Sequence, residues 1–508
     1  MNSITEKLKK TNILILVFYM SVGFTFLYLL LRFALVFSYS NDIGGIESSV
    51  IYSLSKVLNG LPLYGDPEAK NFDVTQYAPV LYVVNLVFDK GFSFDPLKNV
   101  HEIYIVARLI NLIVNVLAGI LLARLFIRKL GIDKKMAFIG ASLFFLYLTR
   151  FHFAGRPDAL FNLDFILFLF YFVAYLQTPI EIKKKRIIYF VLASFFIAFS
   201  FFIKQSGIQF FGIVPLFFLL KGEIKKCLSF SILTGLFLIL FLFVFQAVFG
   251  EYFFKNIIGG IKNEMKLTNA FDLFSNFYLK SSVIFTFGML GMLYYFIKQR
   301  TELEKFISLS IGFIFIFSCL LTTKVGAGIN YFNEFIVVTI VFAVMEIKKI
   351  QSIEFSIQPY FRFGSVLFGL YILFLFPNLM SQKIYHEHME HLKAEKSVLD
   401  GKIKLAQLLQ KKLKEDPRVY FVSFDTDINV LLSEKAAVPN KDMVPFQTNF
   451  NYDLFRKKVG NGTIKYVVYN NDRIVNSFMG TNFNAFTVLY QDELFTIMEN
   501  TVKLSINE

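Results

Sequence analysis

The chain has 508 residues, of which 55% are hydrophobic and only 18% charged, with a mean hydropathy of +0.55. That is too apolar for a water-soluble protein of this length and defines a polytopic α-helical membrane protein. The formal charge of +14 sits in short clusters between apolar runs, which is how membrane topology is written, so nucleic acid is set aside as a partner.

Lys7, Lys9 and Lys10 precede an apolar run of about twenty residues with no small-residue cleavage site behind it, so this run reads as a first span rather than a cleaved signal. Apolar segments of spanning or near-spanning length lie at 12–37, 107–127, 135–149, 160–177, 187–203, 206–220, 227–249, 281–297, 306–322, 332–346 and 363–379, about eleven in all. With the N-terminus in the cytoplasm, the clusters Arg128 to Lys135, Lys183 to Arg186, Lys221 to Lys226, Lys298 to Lys305 and Lys348-Lys349 all fall inside. The loop 38–106, the turn 150–159, the loop 250–280, the turn 323–331 and everything after 380 then lie outside a plasma (inner) membrane. The expected division is a transmembrane domain over 1–379, including the first outer loop, and a small extracytoplasmic α/β domain over 380–508.

The runs 187–203 and 206–220 are parted by little more than Lys204 and Gln205, and read either as two spans with a tight turn or as one broken helix. Residues 80–88 are too few to cross and read as an interfacial helix or re-entrant piece. In the C-terminal region a helical pattern over His386 to Glu415 is stopped by Asp416-Pro417, and Val419 to Phe424, Ile464 to Tyr469 and Phe486 to Tyr490 read as strands. Cys227 and Cys319 are in or beside apolar runs and form no disulfide framework.

Ionisable groups at membrane depth are costly, so each is a functional candidate until a partner or a snorkelling route is found. Four places on the outer side qualify: Asp42 with Glu47 on a short helix from Ile46 to Leu58; Arg156-Pro157-Asp158; Lys204; and Lys324, Asn330, Tyr331 and Glu334. Carboxylates can take a proton from a hydroxyl or hold a divalent cation. Lysine and arginine can hold a phosphate, so the mixture suits transfer of a group away from a phosphate leaving group. Plainer readings stand beside these. Asp42 could be a solvated loop acid, Glu47 and Asp158 helix-start acids, Lys204 a snorkelling base and Arg108 an interfacial anchor. The His386, His388 and His391 cluster matches no strong metal motif and reads as a solvated helix face.

An inside N-terminus, a first span followed at once by an acid, a long first outer loop with a short helix, Gly60-x-Pro62-x-Tyr64, Tyr77-x-Pro79 and Ala107-Arg108-Leu109 together resemble the GT-C class of membrane glycosyltransferases. The resemblance is to the branch with bacterial aminoarabinose transferases and protein O-mannosyltransferases, covers about residues 10–345, and rests on order and topology rather than one motif. It implies transfer of a sugar from a polyprenyl-phosphate donor to an acceptor hydroxyl at the outer face, in cell-envelope glycan, glycolipid or glycoprotein synthesis. By position it implies Asp42 as the catalytic acid of the first loop, Asp158 as the second acidic site and Lys204 as the lysine that meets the carrier phosphate or the first loop. Glu47 completes the catalytic set, and Arg156, Lys324, Tyr77, Arg108, Asn330, Tyr331 and Glu334 join Lys204 as substrate-binding candidates. The chain departs from the aminoarabinose branch in having Tyr77-Ala78-Pro79 for Lys-Pro-Pro and Ile43 where an acid often follows. This leaves the donor sugar open, and with it any need for Mg or Mn on Asp42 and Asp158. The competing reading is a lipid or polysaccharide flippase or transporter, but the charges gather on one face and no repeated halves are visible.

Overall fold

The computed structural model describes residues 13–352 and 389–504, apart from 69–71, 73, 261–262, 294–299, 439–452, 472–476 and 479–480. In chain order α1 (Ile13–Val36) is followed by two short helices, α2 (Glu47–Leu58) and α3 (Pro79–Gly91). The helices that follow are α4 (Val100–Arg128), α5 (Lys134–Tyr147), α6 (Asp158–Gln177), α7 (Lys183–Ile203), α8 (Ile213–Leu220), α9 (Ile224–Phe249), α10 (Leu267–Leu293), α11 (Glu302–Thr322) and α12 (Asn333–Ser352). Among the described residues seven helices are long and apolar enough to cross a membrane: α1, α4, α6, α7, α9, α11 and the stretch Ile329–Lys349. The protein is an integral membrane protein.

The other four expected spans have particular fates. The run 135–149 becomes α5, only 14 residues long and capped by Asp133, which accepts from Lys135 and Met136 N–H. The span expected at 281–297 starts earlier, within α10, whose backbone leaves helical geometry at Ser281 (φ −138°, ψ 26°). The span at 363–379, like His386 and His388, lies outside the described residues. At 203–213 the chain reverses: α7 ends, Lys204 is extended (φ −149°, ψ 126°), and a 3-10 turn over Gln205–Gly212 leads into the eight-residue α8. The reversal is close enough that a Cβ on Gly207 would lie 2.5 Å from Ser200 Oγ, so a tight turn, not a broken helix, separates the two runs.

The abundant phenylalanines form the bundle's interior. Phe172 packs on Phe306 with ring centroids 4.5 Å apart, and Phe217, Phe218 and Phe230 close around it. By contrast α9 touches α7 through Phe237, Phe241 and Phe245 and leaves Leu236, Leu240, Phe243 and Val248 exposed, as a lipid-facing helix does.

The C-terminal part contributes α13 (Met389–Leu392), α14 (Lys396–Glu415), β1 (Tyr420–Ser423), α15 (Thr426–Leu431), α16 (Asp453–Gly460), β2 (Ile464–Asn470), β3 (Ser477–Phe478), β4 (Thr481–Asn482), β5 (Phe486–Gln491) and β6 (Phe495–Asn500). Four strands make a mixed sheet in the order β1-β2-β6-β5, parallel between β1 and β2 and antiparallel elsewhere. Val467 faces Met498 across the central pair, and Val422, Ile464 and Phe455 fill the face beneath. Phe72 of the connection between α2 and α3 inserts there too, edge-on to Phe455 at 5.8 Å. The three expected strands are present as β1, β2 and β5; β3, β4 and β6 are additional.

Candidate active site

Between α1 and α2 the chain lacks regular structure, and Arg108 of α4 holds it. Its Nε and Nη2 donate to Glu47 Oε1 and Oε2 at 2.9 Å each, Nη1 donates to Ser38 O at 2.8 Å, and Nη2 reaches Ser40 O. Glu47, with no exposed surface, also accepts from Ile43 N at 3.0 Å and Gly155 N at 2.7 Å. A buried charge needs this degree of satisfaction, and here it ties three separate segments together. Gly44 lies so close to Ala154 that a Cβ on it would come within 2.5 Å of the alanine Cβ. Gly45 and Ile46 then both take left-handed backbone angles, φ 62° and 66°. For a β-branched residue that geometry costs about 1–3 kcal/mol, and such strain gathers at functional sites. At this bend Asp42 Oδ2 accepts from Ile46 N at 2.9 Å and Oδ1 from Glu47 N at 3.2 Å. Burial, reinforced by the Glu47 charge, raises the Asp42 carboxyl to about 6.

A second cluster abuts the first. Asp158, at the start of α6, accepts from Lys204 Nζ at 2.8 Å and Asn330 Nδ2 at 2.6 Å on Oδ1, and from Arg156 Nε at 3.1 Å on Oδ2. Arg156 turns its other end to the carbonyls of Gly44 (2.8 Å) and Gly45, so one guanidinium joins Asp158 to the bend that holds Asp42. Lys204 reaches Asp158 because its residue is the extended break after α7, and its ammonium lies 4.6 Å from the Tyr331 ring centroid. Burial works against the Lys204 charge, but Asp158 outweighs it and holds the ammonium up at about 12. Tyr77 is half-buried in the field of Arg156, Asp158, Lys204 and Tyr331, and Glu334 is buried on α12 within the field of Lys204. Lys324 is half-buried and has no ion-pair partner among the described residues. Burial and then Lys204 push it down to about 8.

The structure thus gathers Asp42, Glu47, Arg108, Arg156, Asp158, Lys204, Tyr77, Lys324, Asn330, Tyr331 and Glu334 at the end of the bundle that carries the C-terminal sheet. Several supporting residues escaped the sequence reading. Asn111 Nδ2 donates to Ala154 O and, at 2.9 Å, to Arg156 O. Asn115 Nδ2 donates to His152 O at 2.8 Å, and His152 Nε2 pairs with Asn333. Two asparagines four residues apart inside an apolar helix were the available signal.

The donor set does not suit a divalent cation at Asp158. Both of its oxygens already hold cationic or amide donors, so a metal ion would sit against Lys204 and Arg156. Glu47, the acid beside Asp42, has both oxygens committed to Arg108, and among the described residues no group of three His, Cys, Asp or Glu side chains could hold an ion.

This site lies in the fold of the GT-C membrane glycosyltransferases. One similar solved structure is ArnT from Cupriavidus metallidurans bound to undecaprenyl phosphate, with a TM-score of 0.59 and 14% identity over 96% of this chain and 99% of that one. Another is the archaeal oligosaccharyltransferase AglB from Archaeoglobus fulgidus with an inhibitory peptide and a dolichol-phosphate, with a TM-score of 0.56 and 16% identity over 89% of this chain and 69% of that one. The Archaeoglobus fulgidus enzyme in complex with Zn and sulfate is similar to the same degree, with a TM-score of 0.56 and 17% identity over 88% and 68%. No family model matches the sequence, and no curated protein does.

Proposed function

We propose that the protein is a glycosyltransferase that moves a sugar from a polyprenyl-phosphate carrier onto an acceptor hydroxyl at the outer face of the membrane, in the making of cell-envelope glycan, glycolipid or glycoprotein. The observation that carries this reading is the juxtaposition of Asp42, tuned to about 6, with Arg156, Lys204 and Lys324, the last without an ion-pair partner among the described residues. Solved relatives of the same fold hold undecaprenyl phosphate and dolichol-phosphate, which supports a lipid-phosphate ligand here.

In the reaction the acceptor oxygen bonds to the anomeric carbon as the carbon–oxygen bond to phosphate breaks. The acceptor proton passes to Asp42, and the electron pair leaves on the phosphate. A base near neutrality is well matched to that proton transfer. Lys324, with Lys204 and Arg156 behind it, stabilises the charge that grows on the leaving phosphate and so acts chiefly on rate. Asp158 is proposed to hold Lys204, Arg156 and Asn330 in place, and Glu47 with Arg108 to hold the bend, which leaves Asp42 as the base. No step is routed through Mg or Mn, because Asp158 and Glu47 are already committed to donors of the chain.

The test is release of polyprenyl phosphate by purified protein supplied with lipid-linked sugars. Asp42→Asn should lower turnover by about 10² to 10⁴ while donor binding persists. Retention of more than about a tenth of native turnover would move the base elsewhere. Translocation of intact lipid-linked sugar without cleavage would favour the transporter reading instead.

A further inference from the structure

We propose that the C-terminal segment 389–438 is part of the frame of the active site: it clamps the residues that lead into Asp42, with Asp427 and Asn41 as positioning residues. This rests on the assignment of Asp42 as the base. Each of the four residues before Asp42 is held by a side chain or backbone from elsewhere. Ser38 donates its hydroxyl to His391 O, and Tyr39 stacks on His101 with centroids 4.1 Å apart. Ser40 Oγ lies 2.8 Å from His391 Nδ1, and Asn41 Nδ2 donates to Asp427 Oδ2 at 2.7 Å. For three of the four residues the side chain is therefore held by the C-terminal segment, while Arg108 of α4 holds the carbonyls of Ser38 and Ser40.

Asp427 is itself fixed from both sides. Tyr104 of α4 donates to its Oδ1 at 3.2 Å, and Lys402 of α14 donates to Oδ2 at 2.8 Å while also pairing with Asp425 at 2.8 Å. Asp425 in turn caps α15 by accepting from Asp427 N and Ile428 N. Two carboxylates and one ammonium are thereby buried at a contact that apolar residues could make without desolvating charge. The plain docking contact lies farther along α2, where Ser55 donates to Val430 O at 2.6 Å and Asn59 to Ser433 Oγ at 2.9 Å. The costly network sits instead on the residue next to Asp42. A satisfied polar network of this kind fixes one geometry where an apolar contact would permit several.

The experiment uses the full chain in lipid nanodiscs and reads kcat, donor KM and amide hydrogen exchange over 38–47. Asn41→Ala and Asp427→Ala should each lower kcat about tenfold with donor KM within about twofold, since small displacements of a reacting group cost rate rather than ground-state binding. Asp427→Asn keeps one oxygen for Asn41 while its amide nitrogen can donate to the Tyr104 hydroxyl, and it should retain about half of native kcat or more. The double alanine variant should be no slower than the slower single one, because both remove the same contact. Asn59→Ala, at the far end of the interface, should leave kcat unchanged. Exchange over 38–47 should quicken in both alanine variants and not in Asn59→Ala. Native kcat in Asn41→Ala, or unchanged exchange over 38–47, overturns the clamp; Asn41→Ala decides alone if Asp427→Ala fails to fold. A native chain without transfer activity, in which exchange still responds, sinks the glycosyl-transfer reading and leaves the clamp standing.

Discussion

Arg108→Met asks how much of the site depends on one buried ion pair. Arg108 donates to both oxygens of Glu47 and to two backbone carbonyls, and methionine fills most of its volume while removing all four contacts. Glu47 would keep only Ile43 N and Gly155 N, with no exposed surface through which water could compensate. Breaking one partner of such a pair costs about 3–5 kcal/mol, because the remaining charge stays buried. Arg108→Met with Glu47→Gln removes that orphaned charge and should recover about 1–2 kcal/mol of the loss. Equilibrium unfolding in mixed micelles titrated with SDS measures both. A loss below about 1 kcal/mol for the single variant, or a double variant no more stable than the single, would refute the argument. Turnover should fall in the same variants, since Glu47 N–H is one of the two donors that seat Asp42.

Three further outcomes are expected. The kcat/KM profile should rise through about pH 6 as Asp42 loses its proton and fall through about pH 8 as Lys324 loses its charge. Lys324→Met should remove the alkaline limb alone, whereas Lys204, held at about 12, contributes no limb in that window. A chelator should leave turnover within about twofold, given the committed oxygens of Asp158; loss restored by Mg or Mn would overturn the donor-set argument. Cysteine at Asn471 should react with an impermeant reagent on intact cells and cysteine at Lys184 should not; the reverse pattern would invert the topology.

The class of fold was legible because membrane solvation forces long apolar helices, and gathering charges on one side is a one-dimensional signal. Asp42, Asp158 and Lys204 could be singled out for the same reason: each is an ionisable residue at the edge of an apolar run. What each one touches was not legible. Glu47 meets Arg108 from 61 residues away, and Asn330 meets Asp158 from 172, so neither pairing leaves a local pattern. His391, read as part of a solvated helix face, lies half-buried against Ser38 and Ser40 for the same long-range reason. The kink at Ser281 hid the true start of α10, because residues 267–280 are too polar to register as part of a span.

The roles proposed for the acids follow from those partners rather than from their positions in the chain. Asp158 and Glu47 look as catalytic as Asp42 in sequence, yet the former two have both oxygens bound to cations or amides of the chain. A carboxylate so held is poor at accepting a further proton and good at keeping its partners still. Among the described residues Asp42 is held by two backbone N–H groups and no side chain, next to a strained Ile46, and burial lifts it toward neutrality. The proposed division into one base and two anchors therefore rests on charge satisfaction: among the described residues Asp42 is the acid of the three with no ion pair, and so the one able to take a proton.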